Sequence, residues 1–242
     1  MGLQRGKNDR IDALRIARYA LDFQRHAQLW QPASVNLERL ALLLSHRDRV
    51  VKNLMSLRST LNEQSGFVDP ADHALTVALN APAIAGLEQS RDRINAEIEA
   101  ILQADAGLRR QQENLQSIPG FGPVIAAKLI EVTRGFSRLT EPRKLACFCG
   151  VAPFEHTSGT SIRGRTRVSP LANKDLKKML HLATLVTIRK GGIMYEFYQR
   201  KVTEGKHKMS VINAIRNKLI HLLLACIKND TMYQKNYKIN VA

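Results

Sequence analysis

The sequence predicts a mainly α-helical protein in which a long coiled-coil helical arm is followed by a compact helical domain. Apolar residues recur at helical spacing through most of the chain, and Gly and Pro cluster between the periodic stretches. A single polar stretch, residues 153–170, is rich in Gly, Ser and Thr and favours a loop or hairpin over a helix. The chain has 242 residues, 44% of them hydrophobic, which is enough for a sizeable core.

The first helix is predicted over residues 9–25. Ile11, Leu14 and Leu21 are spaced for one helical face, and Asn8 or Asp9 is a suitable N-cap. Pro32 then separates this helix from the next periodic stretch.

Two longer apolar stripes follow and predict the arm. The first spans about residues 36–64, and the second runs from Ile84 to Leu108. Gly66, Pro70 and Pro82 are expected to break the chain between them. The pattern favours an antiparallel coiled-coil hairpin, used as an arm or a dimer interface. The alternative is a pair of ordinary helices buried against one domain.

A short segment, LQSIPGFGPVIAAKLI at residues 115–130, has the layout of a helix-hairpin-helix. Gly120 and Gly122 are expected to supply unusual backbone angles and close approach, and Pro123 to begin the second helix. The free N–H groups of that helix, with Lys128 nearby, suit a nucleic-acid phosphate. A purely structural helical corner is the alternative.

The C-terminal half carries almost all of the excess positive charge. Residues 1–119 hold 15 Lys+Arg and 14 Asp+Glu, and residues 120–242 hold 22 and 7, so their net charges are +1 and +15. Such a basic half attracts polyanions, and nucleic acid is the expected partner. No apolar run reaches the length of a membrane helix, and three cysteines do not form a disulfide framework, so a cytoplasmic, non-membrane protein is expected.

Within this basic half a short helix is predicted over residues 143–151, and three further helices at about 172–189, 193–204 and 207–228. Alternation would place three arginines on one side of an extended segment, as a phosphate clamp. The residues predicted here to bind nucleic acid are Arg163, Arg165, Arg167, Lys174, Lys177 and Lys178.

Few residues are candidates for chemistry. Asp9 and Asp12 lie on one helical face and could share a divalent cation, although the same spacing is common in helix capping. The candidate nucleophiles are Ser158, Ser161 and Ser169, in a Gly-rich stretch with His156 and the three arginines. Serines are also ordinary loop residues. Cys147 and Cys149 form an isolated pair that is more typical of a core than of a zinc site.

Taken together, four segments resemble the insertion-sequence-110 (IS116/IS110/IS902) family of transposases, of which the DNA invertase Piv is a relative. These segments read GKNDRIDALRIARYA, LQSIPGFGPVIAAKLIE, LACFCGVAPFEHTSG and RVSPLANKDLKKMLHLATL. The resemblance covers about residues 2–228. It implies a site-specific DNA recombinase with a RuvC-like DEDD metal domain, a coiled-coil arm and a transposase domain with a catalytic serine. Some members use a structured guide RNA.

The resemblance assigns roles to particular residues. Asp9 and Asp12 would be the last two metal ligands, Ser158 the nucleophile, and Ser169 the second choice. Asn173 would match a common Gly-Asn pair, with Ala172 in the place of the Gly. It also divides the chain into 1–32, the last helix of the metal domain, 33–112, the arm, 113–230, the transposase domain, and 231–242, a tail.

The family's first Asp and its Glu precede the segment that Asp9 begins. The resemblance therefore implies an N-terminally truncated chain, inactive alone, that would bind Mg²⁺ only where a complete DEDD site is assembled. Its expected partners are DNA, an element-encoded guide RNA in some members, and further copies of itself, as a dimer or tetramer through the arm in the bacterial nucleoid. The alternative is a non-catalytic fragment that binds nucleic acid and dimerises.

Overall fold

The computed structural model describes residues 8–26, 32–158, 162–168 and 171–235. Two compact units divide the chain, residues 1–34 and residues 35–242. The mainly α-helical prediction is confirmed. The elements are α1 Asp9–Asp22 with a 3₁₀ turn at Gln24–His26, α2 Val35–Gln64, α3 Pro70–Ala104, α4 Ala106–Gln116, α5 Pro123–Thr133, α6 Pro142–Phe148, β1 Pro153–Ser158, β2 Ile162–Val168, α7 Lys174–Thr187, α8 Tyr195–Thr203 and α9 Lys208–Lys228.

The first unit consists of α1 and the turn after it. The N-cap is Asn8, whose side-chain oxygen accepts a hydrogen bond from the Ile11 N–H at 2.9 Å. The helix ends at Asp22, three residues before the predicted end, and Gln24–His26 continues as a 3₁₀ turn. No residue of α1 is buried, and apolar side chains such as Ile16 and Leu21 are exposed.

In the second unit α2 and α3 form an antiparallel pair. Near the base of the pair the Arg39 guanidinium lies 3.5 Å from the Glu97 carboxylate. Near its tip the His73 ring lies 2.9 Å from the Leu61 carbonyl oxygen. The antiparallel hairpin follows the sequence expectation; packing of the coiled-coil type stays a prediction.

The expected break at Pro82 is wrong, because Pro82 lies inside α3. The chain reverses instead over residues 65–69, where Asp69 caps α3 by accepting from the Ala71 N–H at 2.8 Å. Pro82 is exposed between two alanines. The second stripe also divides at Asp105, which caps α4, so Leu108 belongs to α4.

The core of the second unit surrounds α9. Ile215, Leu219, Ile220 and Leu223 are fully buried there. Among the described helices, α9 is long and apolar enough to span a bilayer by length and composition, but half of its apolar window is buried inside the protein. A core helix of a folded domain meets the same criterion.

The base of the arm belongs to this same core. Leu40 and Leu44 of α2 and Leu102 of α3 are buried in one cluster with Leu115 and Ile130 of the following helices. Burial of such side chains is worth about 1.5–3 kcal/mol each. The arm and the residues after it are therefore joined by one continuous core.

Candidate functional site

The segment that carries the candidate serine is a β-hairpin. Strands β1 and β2 pair antiparallel, and Ser158 lies opposite Ile162 at the end where the two strands are connected. The backbone thus places Ser158 at the last position of β1, next to the connection between the strands. This confirms the hairpin alternative predicted for residues 153–170. Ser161 and Ser169 lie outside the described residues.

The register of the hairpin shifts once. Thr157 is opposite Arg163 and Phe154 is opposite Arg167, with an irregularity between Phe154 and His156. A β-bulge of this kind adds one residue to one strand. The one-sided clamp of Arg163, Arg165 and Arg167 stays a prediction.

The base of the hairpin is anchored to the core. Gly150, at φ +64°, ends the turn after α6, and the Val151 N–H donates to the Ala146 carbonyl at 3.0 Å. Val151 is fully buried, and its carbonyl accepts a hydrogen bond from the Asn213 side-chain amide of α9 at 2.9 Å. The strand that ends at Ser158 therefore starts from a rigid point.

Helix α7 begins beside this anchor. The Asn173 N–H donates to the Phe148 carbonyl at 2.8 Å, and the Asn173 side chain caps α7 by accepting from the Leu176 N–H at 2.9 Å. Lys174 and Lys178 are exposed on its first turns. Lys177 is half-buried, with its side chain packed close to Gly150.

The PGFGP segment is a tight corner between α4 and α5. Gly120 has φ +91°, and a Cβ built there would lie 2.7 Å from the Ala183 carbonyl oxygen of α7. The expectation for Gly122 is wrong: its φ is −83° and a Cβ there would have no atom within 4 Å. Lys128 pairs with Glu131 at 2.9 Å, and its side chain is only 17% exposed. A role of these residues in binding nucleic acid stays a prediction.

The candidate metal ligands lie in the first unit. Asp9 and Asp12 both belong to the first turn of α1, with Asp9 exposed and the Asp12 carboxylate 3.6 Å from the Arg15 guanidinium. The described residues contain no group of three or more His, Cys, Asp and Glu side chains arranged for a metal.

Cys147 and Cys149 differ in how deeply they are buried. Cys149 is fully buried, and burial raises the pKa of its thiol to about 12, whereas Cys147 is half-buried. The thiolate is the form that binds metals, so burial of Cys149 favours a core role.

One buried polar pair has no signal in the sequence. Arg216 of α9 is 6% exposed, and its Nη2 donates to the His181 Nδ1 of α7 at 2.6 Å. Its Nε atom is buried without a hydrogen-bond partner among the described residues. Burial lowers the pKa of His181, and the Arg216 charge lowers it further. The spacing of residues along α9 does not distinguish Arg216 from other helical positions. The pair with His181 becomes visible only when α7 and α9 pack together.

Comparison with known proteins finds a transposase family and several relatives. The family described as Transposase IS116/IS110/IS902 matches residues 112–199, from α4 through the serine hairpin into α8. A pilin gene-inverting protein of Moraxella lacunata is 27% identical over 96% of this chain and 69% of its own length. The transposase for insertion sequence element IS1111A of Coxiella burnetii is 25% identical over 94% of this chain and 68% of its own.

A third relative is an uncharacterized 42 kDa protein of insertion element IS900 from Mycobacterium paratuberculosis. It is 25% identical over 77% of this chain and 47% of its own length. The family match includes the motifs at residues 115–131, 145–159 and 167–185. Residues 112–199 therefore match the IS116/IS110/IS902 family of transposases, and the relatives named here are similar to as much as 96% of the chain.

Proposed function

We propose that this protein takes part in DNA recombination as a serine recombinase of its family, with Ser158 as the nucleophile. The observation that carries the proposal is the family match, which includes the hairpin with Ser158 at the end of β1. The net charge of +15 on residues 120–242, from 22 Lys+Arg and 7 Asp+Glu, favours DNA as the partner. The site of action is then the bacterial cytoplasm.

In the proposed step the Ser158 hydroxyl oxygen forms a bond to a DNA phosphorus atom. The bond from that phosphorus to a deoxyribose oxygen breaks, and the leaving oxygen takes up the proton that the serine loses. A DNA hydroxyl end then attacks the phosphoserine ester, which restores the serine and joins the new strands. The hairpin arginines Arg163, Arg165 and Arg167 are proposed to neutralise the phosphate.

Asp9 and Asp12 fit a metal site only in part. Mg²⁺ prefers oxygen ligands in octahedral geometry and is commonly held by carboxylates, and phosphoryl transfer with two metals needs more than two of them. We propose that Asp9 and Asp12 supply two ligands of a complete DEDD site when it is assembled. The cation would activate the serine hydroxyl and stabilise charge on the phosphate.

The arm is proposed to join copies of the chain into a dimer or tetramer. Its outer surface exposes apolar side chains, among them Leu42, Met55 and Leu79, which a partner arm would cover. An element-encoded guide RNA is a further proposed partner, by family resemblance alone.

The second candidate function is a non-catalytic protein that binds nucleic acid and dimerises through the arm. What favours it is the position of the Asp12 carboxylate beside Arg15, 3.6 Å away, on a helix with no buried residue. A non-catalytic copy of this kind would interfere with a catalytic partner by forming mixed oligomers.

A strand-transfer assay on element-end DNA with Mg²⁺ tests the two. The recombinase proposal predicts a covalent protein–DNA adduct that survives denaturation, disappears in Ser158→Ala and persists in Ser169→Ala. An adduct lost only in Ser169→Ala would transfer the nucleophile to the second-choice serine. Salt-sensitive DNA binding without any adduct would favour the non-catalytic function.

Asn213 gives a matched test of how the hairpin is positioned. Asn213→Ala removes the hydrogen bond to the Val151 carbonyl without touching the serine. It should lower the adduct rate and leave the affinity for DNA unchanged. Ser210→Ala, at an exposed position about one turn earlier on the same helix, is the control and should leave the adduct rate unchanged.

A further inference from the structure

Helix α9 leaves one stripe outside the core, and this stripe forms the floor of a groove. Ala214, Lys218 and His221 are exposed along it, one turn apart, while the opposite faces of α9 are buried. The groove has a volume of about 770 Å³. Its lining residues are Met194, Ala214, Asn217, Lys218, His221, Leu222 and Tyr233.

One wall of the groove is a strap formed by residues 229–233 after α9. The Asp230 carboxylate accepts from the Asn114 amide at 2.8 Å and from the Arg110 Nε at 3.0 Å. The Tyr233 N–H donates to the Ser117 hydroxyl at 2.7 Å. These bonds to α4 and to the residue after it hold Tyr233 at the edge of the groove.

On the other side Met194, at the start of α8, lines the groove, and α8 then carries an aromatic ring that two cations approach. The Lys218 ammonium lies 4.8 Å from the centre of the Phe197 ring, and the Arg200 guanidinium lies 5.8 Å from it. Glu204 pairs with Lys201 at 2.6 Å and lies 3.8 Å from Arg200. Among the described residues, no carboxylate forms an ion pair with Lys218.

These features match one kind of ligand. The groove lining contains an ammonium group, an imidazole, an amide and a tyrosine, and no Asp or Glu. Proteins that bind single strands combine positive charge along the backbone with aromatic side chains on which bases stack. An acidic protein surface would pair with the ammonium group but would have no base to stack on the tyrosine ring.

We infer that this groove binds a short single-stranded segment of nucleic acid, with a phosphate at Lys218 and a base against Tyr233. The inference rests on the proposed function, since it names the surface on which a recombinase would hold an unpaired strand. It places this contact on α9 and its strap, away from the hairpin and α7 residues predicted from the sequence. The shared chemistry is a sugar-phosphate strand, which either DNA or RNA supplies.

Fluorescence anisotropy with one labelled oligonucleotide in three forms tests the inference. The forms are single-stranded DNA, single-stranded RNA of the same sequence, and duplex DNA, each titrated across a range of NaCl concentrations. Lys218→Met should weaken binding of a single strand and lower the salt slope by about 0.7, the loss of one phosphate contact. The natural strand is then identified as DNA or RNA by which of the two single-stranded forms loses more affinity in Lys218→Met.

Tyr233 is tested in the same assay. Tyr233→Ala should weaken binding of the single strand by about fivefold or more, which is the loss of one stacked base. Tyr233→Phe keeps the ring and should bind like wild type. Duplex DNA should bind both Tyr233 variants with nearly unchanged affinity, since its bases are already stacked on one another.

Lys208→Met is the matched charge control, because Lys208 is exposed on the same helix but does not line the groove. It should leave the affinity for a single strand close to that of wild type. If wild type binds nucleic acid and Lys218→Met and Tyr233→Ala bind equally well, the groove inference is overturned while the proposed function stands. If wild type binds none of the three forms, the proposed function fails and the inference fails with it.

Discussion

Gly120 and Gly122 lie two residues apart in one turn, yet the structure makes opposite demands on them. Gly120 has a left-handed φ of +91°, and a methyl group there would stand 2.7 Å from the Ala183 carbonyl oxygen. Gly122 has an ordinary φ of −83° and open space around the position of a Cβ. Gly120→Ala should therefore destabilise the protein far more than Gly122→Ala.

The size of the difference follows from two costs. A left-handed backbone costs a residue with a Cβ about 1–2 kcal/mol. Crowding a packed interior costs about 1–3 kcal/mol more, and here the crowding atom is backbone, which cannot rotate away. Gly120→Ala should thus lower the free energy of unfolding by about 2–5 kcal/mol, against about 5–15 kcal/mol for a whole domain. Gly122→Ala should change it by less than about 1 kcal/mol.

Urea unfolding followed by circular dichroism measures both variants. At a slope of about 3 kcal/mol per M, Gly120→Ala should move the midpoint down by roughly 0.7–1.7 M without changing the slope. Equal losses in the two variants would refute the reasoning. Binding of DNA by the folded Gly122→Ala protein then addresses the helix-hairpin-helix prediction, because a loss of affinity without a loss of stability would indicate that the turn contacts phosphate.

Two further predictions concern α3 and the buried pair of α7 and α9. Pro82→Ala should stabilise the protein by up to about 3 kcal/mol in thermal unfolding, because it restores a helical hydrogen bond. Pro70→Ala, at the first helical position, is the control and should not stabilise the protein. A loss of stability in Pro82→Ala would contradict this reasoning. Burial lowers the pKa of His181, and the charge of Arg216, which donates to its Nδ1, lowers it further, so the fold favours neutral His181. As the pH falls through the ordinary histidine range near 6.5, the unfolded chain takes up a proton first and stability is lost. His181→Gln, which keeps an acceptor without titrating, should flatten this part of the pH dependence of the melting temperature, and an unchanged profile would show that other groups cause it.

The helices were predictable because their signals are local. Val35–Gln64 and Lys208–Lys228 begin and end within one residue of the positions expected from apolar spacing. Asn8 has the side chain that an N-cap requires. The prediction of a break at Pro82 was wrong because a proline destabilises a helix only locally, and the other residues of α3 continue the helix through it. The chain reverses at residues 65–69 instead.

The candidate site was only partly predictable for the same reason. The resemblance pointed to Ser158, and residue composition favoured a loop or hairpin. The register shift between Phe154 and His156 depends on how the two strands pair. Lys128 looked like a free cation in the sequence, and the fold pairs it with Glu131. Lys218 had no distinguishing pattern in the sequence, and only the fold shows that it lines a groove.

The sequence by itself determined the helical class, the basic C-terminal half and the motifs that lead to the transposase family, because spacing, composition and residue type are all local properties. Only the tertiary structure decided which glycine of the corner is indispensable, which polar groups are buried and which cations face a groove. Those outcomes depend on contacts between distant segments, such as Gly120 with Ala183 and Tyr233 with Ser117. Packing creates these contacts, and no single segment encodes them.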